Sequence, residues 1–275
     1  MSEKTLLDLF YDSKYYSLKY KNYFPIYEKL FSQYRGKEIT FVEIGVLSGG
    51  SLQMWKKFFG EKARIIGIDL NPDAKKFEEL GFEIFIGSQS DEVFWKNFFS
   101  KVGGVDIILD DGGHTNFQQI MTTCICAPLI RDNGILVVED VFHSYGVSYG
   151  SKGFYNPSKY SFINFCKKIT DDINHRFPNI KQFKFSLNKF IYSMEVFESI
   201  VAFKINKELC KSRNEALYNN GKNLELKDFA HIHDPKIPGS NNIVVFIKKL
   251  FPRFRGTFKY LVFKINENIL KKFFK

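Results

Sequence analysis

Apolar and polar positions follow two different rhythms along this chain. From Leu6 to Tyr34, leucines and aromatics recur at mixed three- and four-residue spacings with lysines between them, which predicts one or two amphipathic helices. From Ile39 onward the rhythm changes to short apolar runs separated by helix-like stretches. Strands are expected at 39–44, 64–70, 82–86, 105–109 and 134–138, and helices at 52–59, 73–80, 91–99 and 117–130. Such alternation is the pattern of a doubly wound α/β sheet. Beyond Asp140 comes a Gly- and Tyr-rich loop, 143–155, too long and too aromatic to be a simple connection, and it is read as covering a site. A helix at 159–173 and two strand-like segments, 182–187 and 199–205, fit a closing pair at the sheet edge. Residues 206–242 are polar with turn signals and are read as loops. The expected organisation is an N-terminal helical segment (1–38), an α/β domain (39–205) and a C-terminal extension (206–275).

Composition narrows the classes. With 275 residues, 44% of them hydrophobic, the chain can bury a full core, which excludes disorder throughout. It shows no charged-then-apolar leader and no uninterrupted apolar run of about 18 residues, so a cytoplasmic location is expected rather than secretion or membrane spanning. Cys124, Cys126, Cys166 and Cys210 lack metal-type spacing and are read as reduced thiols. The net charge of +10 is concentrated at one end, because residues 248–275 carry nine Lys or Arg and a single acid, Glu267. The near-neutral body argues against a nucleic-acid binder. The segment 243–275 mixes Phe, Leu and Ile with lysine, although Pro252 and Gly256 interrupt any long helix. It suits peripheral contact with an anionic membrane surface, a docking helix for another subunit, or a solvated appendage.

The candidate chemistry lies in two segments, Val105-Asp-Ile-Ile-Leu-Asp-Asp-Gly-Gly-His114 and Gly134-Ile-Leu-Val-Val-Glu-Asp-Val-Phe-His143. Each is a buried strand ending in carboxylates and a histidine. In a doubly wound order 3-2-1-4-5 the fourth and fifth strands are neighbours about 4.8 Å apart, so their carboxyl ends converge. Asp111, Glu139 and Asp140 would then meet at one point, an all-oxygen set suited to a hard divalent cation such as Mg²⁺, with His114 beside it. The plainer alternative is that Asp110 and Asp111 cap the next helix while Glu139 and Asp140 open a solvated loop. His143 contacts substrate or packs within its loop, and His175, His231 and His233 are given no role.

The first strand runs into Glu43-Ile-Gly45-Val-Leu-Ser-Gly49-Gly50, and the second ends in Gly67-Ile-Asp69. A dinucleotide fingerprint, G-x-G-x-x-G, fails because Leu47 occupies the second glycine position. The wider E-x-G-x-x-x-G-G spacing with an acid ending the second strand instead resembles the S-adenosylmethionine (SAM) site of class I methyltransferases. That resemblance implies a Rossmann-like methyltransferase sheet. Asp69 would take the ribose hydroxyls, Gly45 and Gly49 the methionine side, and Ser88 and Gln89 the adenine, with Glu43, Ser51 and Asp110 completing the cofactor set.

Glu43–Trp55, Ile66–Asp69, Asp110-Asp-Gly-Gly-His114 and Val138-Glu-Asp140 further resemble the macrocin and mycinamicin sugar O-methyltransferases, over roughly residues 15–205. The resemblance implies SAM, Mg²⁺ or another hard divalent cation held by Asp111, Glu139 and Asp140, and His114 as general base with Asp111 alongside it in catalysis. It implies a sugar or nucleotide-sugar acceptor belonging to glycan or polysaccharide biosynthesis and leans towards a homo-oligomer. His143, Tyr145 and Tyr149 are the residues read as candidates to meet that acceptor, the aromatic loop being able to stack on a base or a pyranose face. Gly113 stands where that family more often has serine. A methyltransferase acting on a non-sugar diol and a non-catalytic cofactor-binding module are the competing readings.

Overall fold

A computed structural model describes residues 4–146, 157–177, 186–212, 214–217, 219 and 271. Five parallel strands, β1 (Thr40–Ile44), β2 (Arg64–Asp69), β3 (Glu83–Ile86), β4 (Val105–Asp110) and β5 (Ile130–Val138), are joined by two antiparallel ones, β6 (Ile191–Phe197) and β7 (Ile200–Ile205). They form one sheet in the order β3-β2-β1-β4-β5-β7-β6. The doubly wound α/β expectation therefore holds, with the closing pair supplying the mixed edge. Helices α3 (Gly50–Phe59), α4 (Glu92–Val102) and α5 (Asn116–Cys126) connect the parallel strands, and α1 (Leu6–Tyr11), α2 (Tyr23–Phe31), α6 (Phe162–Asn174) and α7 (Lys207–Lys211) complete the set.

Strand side chains alternate between two faces, and each face has its own apolar layer. On one, Phe41, Ile65, Ile107, Leu109, Ile135 and Val137 pack beneath α1, α2 and α3. On the other, Val42, Ile44, Ile66, Ile68, Ile108, Leu136 and Val138 pack beneath α4, α5 and α6. The crowding of aromatics between Leu6 and Tyr34 serves the first face. Phe31 is fully buried among Tyr27, Phe41, Trp55 and Phe59, with ring centroids 5.5–6.2 Å apart.

Some boundaries differ from the sequence reading. The stretch 73–80 is a 3₁₀ helix, Pro72–Leu80, started by the Asn71 side chain and ended by left-handed Gly81. The outer edge strand is Ile191–Phe197, not 182–187. Residues 182–185 lie outside the described set, and Leu187 is held off the sheet because its amide donates to the Asp172 carboxylate at 2.7 Å. A short helix, α7, stands where a loop was expected, capped by Asn206. Residues 1–214 form one compact unit and 215–275 another. Most of the second unit, including the basic segment read from the sequence, lies outside the described residues, as does the loop core 147–156 with Tyr149. Among the described residues, no helix is long and apolar enough to cross a membrane.

Truncating Phe31 to alanine would remove a ring from the centre of the α2–α3–β1 packing. A loss of about 3–5 kcal/mol in unfolding free energy is expected by denaturant titration. A loss below about 1 kcal/mol would mean that α2 contributes little to the folded core.

Candidate active site

The pairing register decides which acids meet. Ile44 aligns with Asp110, and Asp110 with Val138, so β1, β4 and β5 end side by side. The ladder continues one residue further, with the Asp111 amide donating to the Ile44 carbonyl at 3.1 Å and the Glu139 amide to the Asp110 carbonyl at 3.0 Å. Because side chains alternate, Glu43, Asp111 and Glu139 continue the rows of Phe41, Leu109 and Val137 and share the face covered by α1–α3. Asp110 takes the opposite face, where Gln89 donates to it at 2.9 and 3.0 Å and to Thr122 at 3.0 Å.

The shared acids are not left unpaired. Lys19, from the segment between α1 and α2, is buried among them. Its ammonium donates to Asp111 Oδ2 at 2.5 Å and to Glu139 at 3.0 and 3.2 Å, and lies 3.5 Å from Glu43 Oε1. The Tyr27 hydroxyl donates to Glu139 Oε1 at 2.5 Å, while Ser51 Oγ (2.6 Å) and Trp55 Nε1 (3.1 Å) donate to Glu43. Burial pushes the pKa of Glu43 and Asp111 up and that of Glu139 well up, the Asp111 charge adding to the last, and Lys19 opposes all three shifts. Burial also works against the Lys19 ammonium, but Asp111, Glu139 and Glu43 outweigh it and hold the lysine pKa well above its ordinary value.

Asp140 leaves the extended course of β5 through a left-handed backbone, φ 55°. Its Oδ1 accepts the Tyr23 hydroxyl at 2.5 Å and its Oδ2 lies 3.3 Å from His114 Nε2, which is itself 3.8 Å from Asp111 Oδ1. Asp111, His114 and Asp140 thus present one ligand atom each, all within 4.8 Å of one another. The two hard carboxylate oxygens fit a divalent cation completed by water or hydroxyl oxygens, with the His114 nitrogen beside it. His114 also has positive φ (56°), as does Leu47 (47°), and all three of these residues line the same cavity. Non-glycine residues held left-handed store strain that the surrounding structure must support.

That cavity, of about 800 Å³, runs from Gly45, Leu47 and Asp69 past Gln89 to Asp111, His114, Asp140 and His143. Asp69 Oδ2 accepts the Val46 and Leu47 amides at 2.8 and 3.2 Å and Oδ1 accepts the Asn71 amide at 2.8 Å, so this acid both faces the cavity and shapes the glycine turn. Gly45, at φ 91°, approaches the Asp111 carbonyl so closely that a Cβ there would sit 2.1 Å from the oxygen.

Of the remaining sequence candidates, Glu43 and Ser51 bond to each other behind the turn and Asp110 lies buried beneath Gln89. Gly49 packs on Phe77, and Ser88 takes the Ser90 amide on its hydroxyl between the cavity-lining Gly87 and Gln89. His143 stacks parallel to His114 at 5.4 Å and on Phe142 at 4.5 Å. Tyr145 lines a neighbouring cavity of about 570 Å³ with Tyr20, Tyr23, Phe142 and Phe197. Sequence reasoning missed Lys19, Tyr23 and Tyr27. Nothing in Ser17-Leu-Lys-Tyr-Lys21 separates Lys19 from the lysine two residues on, because its role depends on a contact more than 90 residues distant.

With this geometry in hand, comparison with known proteins is decisive at one level. The methyltransferase-domain family matches residues 42–141. The match covers less than half of the chain. The chain is 30% identical over 159 residues to mycinamicin VI 2''-O-methyltransferase of Micromonospora griseorubida, covering 55% of this chain and 39% of that protein. It is likewise 30% identical over 159 residues to demethylmacrocin O-methyltransferase of Streptomyces fradiae, covering 55% and 40%. The chain therefore spans less than half the length of these curated relatives. The crystal structure of the MycE methyltransferase of the mycinamycin pathway, in complex with Mg and SAH, superposes with a TM-score of 0.63 at 26% identity, over 74% of this chain and 55% of that one. The resemblance read from the motifs and the Rossmann-like sheet both hold.

Gly45→Ala and Gly81→Ala separate strain from packing. Both glycines have positive φ, but a Cβ at Gly81 meets nothing within 4 Å. Gly81→Ala is expected to cost about 1–2 kcal/mol, the penalty of a left-handed L-residue, and Gly45→Ala clearly more, both by denaturant unfolding. Equal costs would show that the turn does not press on Asp111.

Proposed function

We propose that this chain is a SAM-dependent O-methyltransferase, assisted by a hard divalent cation such as Mg²⁺, that methylates a sugar hydroxyl with His114 as general base. The observation that carries this reading is the convergence of Asp111, His114 and Asp140 on a cavity whose far end is formed by the Gly45 turn and Asp69. The relatives named above as sugar O-methyltransferases, and the Mg and SAH held by the superposed structure, support it.

Asp69 would accept the ribose hydroxyls of SAM, and Gly45 would admit its methionine end against the backbone. SAM supplies a methyl group on a sulfonium, which departs as a neutral thioether. Asp111 and Asp140 would hold the cation, whose chemistry is to orient an acceptor hydroxyl and lower its pKa. His114 Nε2, beside both acids, is placed to take the hydroxyl proton as the oxygen bonds to the methyl carbon and the carbon–sulfur bond breaks. The stacking of His143 and Phe142 holds the imidazole plane, and positioning of this kind contributes much of the rate. Tyr20, Tyr23, Phe142 and Tyr145 give the acceptor side an aromatic wall suited to a pyranose face. A cytoplasmic biosynthetic role with a small glycosylated or nucleotide-linked acceptor follows from this reading.

His114→Ala is expected to lower methyl transfer by 100-fold or more while calorimetry shows SAH binding intact. Equal turnover in variant and parent would remove the general base. Asp69→Ala should weaken SAH binding at least tenfold by the same titration, and unchanged affinity would place the ribose elsewhere. Methyl transfer from labelled SAM to nucleotide-sugars and sugar glycosides, but not to a catechol, is the expected acceptor pattern. Turnover of the catechol alone would move the assignment to non-sugar diols.

A further inference from the structure

Among the described residues, Lys19 is the only lysine or arginine ion-paired to the acids at the ends of β1, β4 and β5. Its side chain is only 1% exposed. It occupies Asp111 Oδ2, leaving Oδ1 on the His114 side, and it lies within hydrogen-bonding distance of both oxygens of Glu139. Glu139 also accepts from Tyr27, and it lies outside the Asp111–His114–Asp140 group able to share one cation.

The lysine is delivered by a strap pinned at a distance from the acids. Ser13 Oγ donates to the Gly50 carbonyl at 2.9 Å and the Lys14 amide donates to Gln53 Oε1 at 3.2 Å. A Cβ at Gly50 would lie 2.3 Å from the Tyr15 carbonyl oxygen, so the strap runs tightly over the first turn of α3. The strap that carries Lys19 is thus pinned at residues 13–16 by contacts that do not involve the carboxylates.

We propose that the Lys19 ammonium is a tethered counter-cation of this cluster and competes with the divalent cation for Asp111 and Glu139, setting how tightly the metal is held. The inference rests on the proposed function for the presence of a metal, but concerns binding and not turnover. Two cations sharing one carboxylate repel each other, and in a partly dehydrated site that repulsion is weakly screened. A neutral residue at position 19 removes the repulsion and frees Glu139 as a third oxygen ligand. A purely structural lysine would give the opposite sign, because its loss would loosen the site and weaken the metal.

The test is calorimetric titration of Mg²⁺, then of SAH, into the parent, Lys19→Met and the charge-keeping Lys19→Arg. Mg²⁺ affinity is expected to rise at least tenfold in Lys19→Met and to stay at or below the parental value in Lys19→Arg. Mg²⁺ bound no more tightly by Lys19→Met than by the parent, or by neither protein, overturns the proposal. Should Lys19→Met not fold in metal-free buffer, Lys19→Gln carries the same expectation and the same refutation. In addition, the melting temperature of Lys19→Met should then rise more with Mg²⁺ than that of the parent, and an equal or smaller rise counts against competition. A parent that binds SAH while Lys19→Met shows unchanged Mg²⁺ affinity refutes the role of Lys19 alone. A folded parent that binds no SAH refutes the methyltransferase reading instead.

Discussion

An ionised carboxylate withdrawn from water is costly unless it is paired, and on one face of one sheet this fold buries Glu43 and Glu139 fully and Asp111 in large part. The parallel register of β1, β4 and β5 leaves no alternative, since Glu43, Asp111 and Glu139 continue the same pleat rows. Everything packed above them answers that charge. Lys19 supplies a cation, and Tyr27, Ser51 and Trp55 supply hydrogen bonds from α2 and α3. The N-terminal segment and the sheet are therefore one energetic unit, in which removing the former would strand buried acids without partners.

The other acid of each pair has a different fate. In Asp110-Asp111, the pleat sends Asp110 to the α4–α5 face, where Gln89 binds it and at the same time accepts the Gly113 amide at 3.0 Å. Asp110 thereby fixes the loop that carries His114. In Glu139-Asp140, the left-handed turn at Asp140 ends the strand and brings its carboxylate to His114. Among the described residues, three of the five non-glycine residues with positive φ, Leu47, His114 and Asp140, border the same cavity. Strain at such positions survives only where the neighbouring packing dictates the conformation.

The two ends of the cavity are built from different parts of the chain. The end bearing Gly45 and Asp69 is made by strand termini and the turns that follow them, so it is as rigid as the sheet. The end bearing Tyr20, Tyr23, Phe142 and His143 is made by the N-terminal strap, the start of α2 and the segment after β5. A sheet of this kind can keep its first end constant while the second varies with the molecule it receives.

Alternating apolar runs, the glycines after the first strand and the acids closing the fourth and fifth were visible in order along the chain, because strand period and turn chemistry are local properties. They were enough to predict the doubly wound sheet and to single out Asp69, Asp111, His114 and Asp140, which the structure brings to one cavity at the carboxyl edge of the strands. Local pattern failed at the closing edge, where the amide of Leu187 goes to Asp172 and not to a strand neighbour. It also could not separate Asp69, which lines the cavity, from Glu43 and Ser51, which bond to each other, and Asp110, which lies beneath Gln89. Tertiary structure alone decided that Lys19 is the cation among them, since a contact spanning 92 residues of sequence leaves no periodic trace at either end.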